Sequence, residues 1–102
     1  PYETDTRPEV QNLTARYDAT RRVVVLQWDY PARSEDFWFV VYRAGTGTQL
    51  RQFARLTSAD RTYTDNAPLQ REDGTAVYAV RVVARSGSES KLEPKVQVTI
   101  GR

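Results

Sequence analysis

The stretch "SEDFWFVVYRAGTG", residues 34–47, places Phe37, Trp38 and Phe39 side by side and ends in a glycine-bearing turn. Neighbouring side chains of an extended strand point to opposite faces, so these rings cannot all enter one core. Two interleaved sets follow, Phe37/Phe39/Val41 and Trp38/Val40/Tyr42, and both are apolar. Period two identifies the stretch as a strand and leaves its facing open.

The same period runs through the rest of the chain, and no window of helical length carries a helical stripe. In "RRVVVLQWDYP" Val24, Leu26 and Trp28 share one face, and Pro31 ends the strand because it cannot donate to a ladder. In "AVYAVRVVAR" Tyr78, Val80, Val82 and Ala84 fall on one side, with Val77, Ala79, Arg81, Val83 and Arg85 on the other. "VQNLTARY", "QLRQFARL", the segment around Thr62–Thr64 and "PKVQVTI" supply the remaining strands. About seven short strands, separated by turn signals at regular intervals, describe an all-β, immunoglobulin-like antiparallel sandwich. Residues 1–8, "PYETDTRP", are polar with proline at both ends and read as a linker, leaving residues 9–102 as one domain.

Composition restricts the chemistry. The 102 residues include no cysteine and no histidine, which removes thiolate nucleophiles, imidazole bases and His/Cys zinc sites. Methionine is absent too, so the chain reads as a piece of a longer protein. The formal charge is +2, and its arginines are scattered from Arg7 to Arg102 among acids, unlike the clustered cations of a nucleic-acid binder. The longest apolar run, "FWFVVY", is too short to insert in a bilayer.

Glu35/Asp36 and Glu72/Asp73 are adjacent in sequence and diverge in turns, whereas a two-carboxylate mechanism needs acids facing across a cleft. A loop-bound cation would have to use Asp60, Asp65 or Asp73, and no calcium-loop pattern surrounds them. Serines 58, 86, 88 and 90 have no histidine to activate them. The "NLT" at Asn12 matches a glycosylation sequon, and Asn12 reads instead as a turn residue at a strand edge. No catalytic residue, metal ligand or cofactor site is expected.

Several phrases taken in order resemble the fibronectin type III domain: "P-x-V-x-N-L" at Pro8–Leu13, "V-x-L-x-W" at Val24–Trp28 and "W-x-V-x-Y-R" at Trp38–Arg43. "T-Y-T-D" at Thr62–Asp65, "Y-x-V-x-V-x-A" at Tyr78–Ala84 and "G-x-x-S" at Gly87–Ser90 complete the series. The wording looks most like variants appended to bacterial secreted and surface enzymes. Two departures stand out: the Leu69–Tyr78 loop is long for the family and the Arg85–Ser90 loop short.

The resemblance implies that Trp28, Trp38, Tyr42, Leu69 and Tyr78 define the fold. Trp38, Val40 and Tyr42 would face Leu26 and Trp28, Leu69 would plug the core, and the Tyr78 hydroxyl would bond the chain near Leu69. Phe37, Phe39, Val41, Arg43, Arg81 and Val83 would then form an outward docking face, either covered by arginine stems or seated on a partner.

The functional expectation is a non-catalytic accessory module, a spacer or interdomain docking block. It would belong to a protein that is extracellular, on the cell surface or periplasmic, with neighbouring domains or another protein as partner. The alternative is carbohydrate binding through Tyr2, Tyr17, Tyr30, Phe37 or Phe53, or protein adhesion through the loops "SGSES" and "TGT". No "RGD" and no "WSxWS" box occurs.

Overall fold

The structure, a computed structural model, describes residues 9–31, 36–45, 49–66, 75–90, 92 and 95–99. Seven strands succeed one another: β1 (Gln11–Asp18), β2 (Val23–Asp29), β3 (Phe37–Gly45), β4 (Arg51–Thr57), β5 (Thr62–Asp65), β6 (Thr75–Ala84) and β7 (Lys95–Thr99). They form two antiparallel sheets, ordered β1-β2-β5 and β4-β3-β6-β7. The chain crosses between sheets at β2–β3, β4–β5 and β5–β6, so a single core lies between the two layers. The sandwich expected from the alternation is the fold observed. The linker expected over residues 1–8, the plug Leu69 and the loop "TGT" lie outside the described residues.

Local chemistry sets the tight turns. Between β1 and β2 the Arg22 amide donates to the Asp18 carbonyl at 2.6 Å, while Asp18 Oδ1 accepts from the amides of Thr20 and Arg21. Arg22 closes this hairpin at φ 60°, a left-handed conformation that glycine would adopt without a Cβ clash. Asn12 (φ 56°) sits where the β1–β2 register shifts between Gln11 and Thr14, and its Nδ2 donates to Asp29 Oδ2 at 2.9 Å. Asparagine tolerates this geometry better than most residues. Its role is to hold an irregularity within the edge strand rather than the turn expected there.

The pairing of β3 with β6 decides the facing of the aromatic strand. Phe37 opposes Ala84, Phe39 opposes Val82, and Val41 opposes Val80. Directly opposed residues share a face, and the β6 partners are core. Phe37, Phe39 and Val41 are therefore inside, with Phe39 and Val41 fully buried. Trp38, Val40 and Tyr42 point outward. This reverses the assignment implied by the family resemblance. The physical reason lies in the register: Phe37, Phe39 and Val41 oppose the core residues Ala84, Val82 and Val80, whereas Trp38, Val40 and Tyr42 oppose Val83, Arg81 and Ala79, the set that carries a charge.

In the core Trp28 meets Phe39 edge-to-face at 5.5 Å, and Tyr30 packs on Phe37 at 5.3 Å and Phe39 at 5.5 Å. Val24, Leu26, Val80 and Val82 fill the space around them. Each buried side chain of this size contributes roughly 1.5–3 kcal/mol before ordering costs, and each ring pair about 0.5–1.5 kcal/mol more.

Candidate functional site

The sheet pairings bring two constellations together, one at an end of the core and one on the outer face of the four-stranded sheet. At the core end β3 places Arg43 opposite Tyr78 of β6, while β5 contributes Asp65 from the facing sheet. Arg43 Nη1 donates to Asp65 Oδ2 at 2.9 Å, and the Tyr78 hydroxyl donates to the same oxygen at 2.6 Å. Asp65 is 1% exposed, so its charge is compensated inside the protein rather than by water. The Arg43 guanidinium also lies 4.0 Å from the centre of the Phe53 ring, which meets Tyr63 edge-to-face. Burial, followed by the hydrogen bond to Asp65, pushes the Tyr78 phenol far above its ordinary value. Burial first and the Asp65 charge second raise Tyr63 as well.

This cluster is architectural. The hydroxyl's one proton goes to Asp65, which corrects the expectation of a Tyr78 bond to the chain near Leu69. Arg43, assigned to the outer docking face, instead belongs to this inward cluster, because odd-numbered positions of β3 all face the core. Asp65, considered in the sequence only as a ligand for a loop-bound cation, pairs instead with Arg43 and Tyr78, and a signal for this existed: alternation in "TYTD" puts Tyr63 and Asp65 on one side, and a carboxylate facing a core requires a cation.

The outer face is built on Trp38, Val40 and Tyr42. β4 sets Arg55 opposite Val40, and β6 sets Arg81 opposite Val40 from the other side. Val83 lies beside Trp38, and Ala79 beside Tyr42. Arg55 stacks over the Trp38 ring at 4.3 Å; Arg81 stands 5.4 Å from the centre of the Tyr42 ring and donates to its hydroxyl at 3.3 Å. Arg81 also approaches Glu89 at 3.4 Å, a loose pair. Val40, between the two arginines, is only 4% exposed although it faces outward. The expected covering of outward apolar groups by arginine stems is present, but on Trp38, Val40 and Tyr42. Of the six residues assigned to a docking face, Arg81 and Val83 lie on it; Phe37, Phe39 and Val41 are core.

The aromatic residues considered for sugar stacking have packing roles: Phe37 is buried, and Tyr17, Tyr30 and Phe53 pack against the core. Tyr2 lies outside the described residues. The loop "SGSES" folds back on β6, with the Ser90 amide donating to the Val82 carbonyl at 2.8 Å and Ser90 Oγ accepting from the Val82 amide at 2.9 Å. Gly87 turns it at φ 100°. Asp60 Oδ2 accepts from the Thr57 amide and hydroxyl, and so serves its own turn. Among the described residues no group of three or more acids could hold a metal ion.

Two antiparallel sheets of three and four strands, packed around a core that includes Trp28, define a fibronectin type III-like fold. Solved structures agree. A fibronectin type III-like protein from Clostridium thermocellum superposes with a TM-score of 0.70 at 18% identity, covering 91% of this chain and 92% of that one. A myokine structure gives 0.72 at 17% identity, covering 95% of this chain and all (100%) of its own. Pectate lyase PelI from Erwinia chrysanthemi, in complex with tetragalacturonic acid, gives 0.71 at 20% identity, over 89% of this chain and 28% of that chain. At these identities the likeness is one of fold. No protein-family model and no curated protein matches the sequence.

Proposed function

We propose that this chain is a non-catalytic accessory module of a larger protein, secreted or displayed at a cell surface, and that it serves as a stiff spacer and docking block. The observation that carries the reading is the outer face of β4-β3-β6-β7, where Trp38, Val40, Tyr42 and Val83 form one apolar strip under Arg55 and Arg81. Large rings on a solvent-facing sheet are what an interface uses, since aromatics and arginine dominate binding energy where partners meet. The pectate lyase of which a domain-sized 28% shares this fold lends support. The secreted setting follows from the family resemblance alone.

The test has two stages. The coding sequence on both sides of residues 1 and 102 is determined first; a further domain in the same frame is expected, and a frame encoding nothing else overturns the reading. In the longer protein, Trp38→Ser combined with Tyr42→Ser should separate the unfolding transition of this module from that of its neighbour in scanning calorimetry. A single transition, unchanged by the double substitution, also overturns it.

A further inference from the structure

The outer face carries a chemical preference that the docking reading leaves open. Arg55 is exposed and stacked on Trp38, and it makes no hydrogen bond or ion pair among the described residues. A guanidinium whose central carbon lies 4.3 Å over an indole ring still carries its N–H donors at the rim, and an arginine rim can receive a carboxylate two-pronged. Across the strand, Arg81 holds Glu89 at only 3.4 Å, and its Nε is buried with no hydrogen-bond partner among the described residues. Lys95 of β7 opposes Ala79 and so stands in the same row as Tyr42. Among the described residues, Arg55 and Arg81 thus share this face with Glu89 and with Lys95 at its β7 edge.

Resting on the docking reading, we propose that the partner of this face is an acidic protein surface whose Asp and Glu side chains pair with Arg55 and Arg81. Charge complementarity points there, since among the described residues the face carries Arg55 with its side-chain donors unspent and Arg81 holding Glu89 only loosely. Sugar stacking fits less well, because Arg55 already covers the Trp38 ring and Arg81 is bonded to the Tyr42 hydroxyl. Carboxylates need only a guanidinium rim, which stays open on Arg55, and on Arg81 a carboxylate would take the place of the loosely held Glu89. Holding the Arg55 guanidinium on a ring beforehand reduces the ordering cost of the contact.

The test titrates the 102-residue chain with poly-L-glutamate, and separately with polygalacturonate, by calorimetry at low and at physiological salt. Poly-L-glutamate should bind in a salt-sensitive manner, and Arg55→Gln should weaken it about tenfold, as expected for a lost charge-assisted pair. Arg16→Gln removes the same charge from the exposed outer side of the opposite sheet and should change affinity less than about twofold, the effect of screened charge alone. A urea unfolding curve that starts from a fully folded baseline under the titration conditions, for both variants, confirms that the loss is one of contact. Equal losses in the two variants, or no binding of poly-L-glutamate, overturn the proposal. Tighter binding of polygalacturonate with the same dependence on Arg55 overturns it in favour of an anionic polysaccharide. If poly-L-glutamate fails to bind while Trp38→Ser with Tyr42→Ser still uncouples the longer protein, docking stands and the acidic partner falls.

Discussion

Arg43 and Arg55 stand at opposite ends of what an arginine can do in one sandwich. Arg43 is turned inward, meets a buried carboxylate at 2.9 Å and shares it with a tyrosine hydroxyl. Arg55 is turned outward and meets only the face of an indole. The inner arrangement consumes its donors: remove the acid and a cation is stranded at a dry boundary. The outer arrangement leaves its donors facing water. One arginine is committed to the fold, and the other is available to a partner.

Substitutions can break that contrast, beginning with the core that separates the two regions. Phe39→Ala should cost about 3–5 kcal/mol in urea-induced unfolding, the usual cost of emptying a buried phenylalanine site. Retained stability would mean that Phe39 does not fill the core. Asp65→Asn should cost about 3 kcal/mol, since removing one partner of a buried pair leaves the other charge uncompensated. The 19% exposure of Arg43 places this at the lower end of the range.

Tyr78→Phe deletes a hydrogen bond to a charged acceptor and should cost about 1.5–3 kcal/mol. It should also change the alkaline response. Above the usual phenol value of 10.0 the unfolded chain releases the Tyr78 proton while the folded chain keeps it. The unfolded state then binds fewer protons, so stability falls as pH rises past that point. Removing the hydroxyl should flatten this slope in urea titrations run on either side of it, leaving the smaller share from Tyr63. Smallest of all, Arg55→Gln should cost about 0.5–1 kcal/mol, the worth of an exposed cation–π contact. A cost as large as that of Asp65→Asn would erase the distinction between the two arginines.

Much of this architecture is legible in the sequence, and the exceptions share a cause. β2 and β6 declare their facing because one of their two alternating sets is plainly more polar, with Gln27 in β2 and Arg81 in β6. β3 does not, since Phe37/Phe39/Val41 and Trp38/Val40/Tyr42 are equally apolar and only the register with β6 separates them. Arg43 misleads further. A charged residue at the end of one set suggests that this set is the wet one, and the contrary answer depends on Asp65 arriving from another sheet. Partnerships between residues 22 positions apart are a property of the topology. Arg55 escapes notice for the same reason, because its ring lies on a neighbouring strand.

The division of the rings has a spectroscopic consequence. The chain has two tryptophans, and the sheets place them in unlike surroundings: Trp28 is sealed at 2% exposure, and Trp38 is half-buried beneath a guanidinium. Trp28 should emit toward the blue and report the integrity of the packed interior. Trp38 should emit further to the red and respond to quenchers dissolved in the solvent. Replacing either ring with phenylalanine would give a single-tryptophan protein, read by exciting beyond the absorption of its six tyrosines. One such protein follows unfolding, and the other follows whatever settles on the sheet.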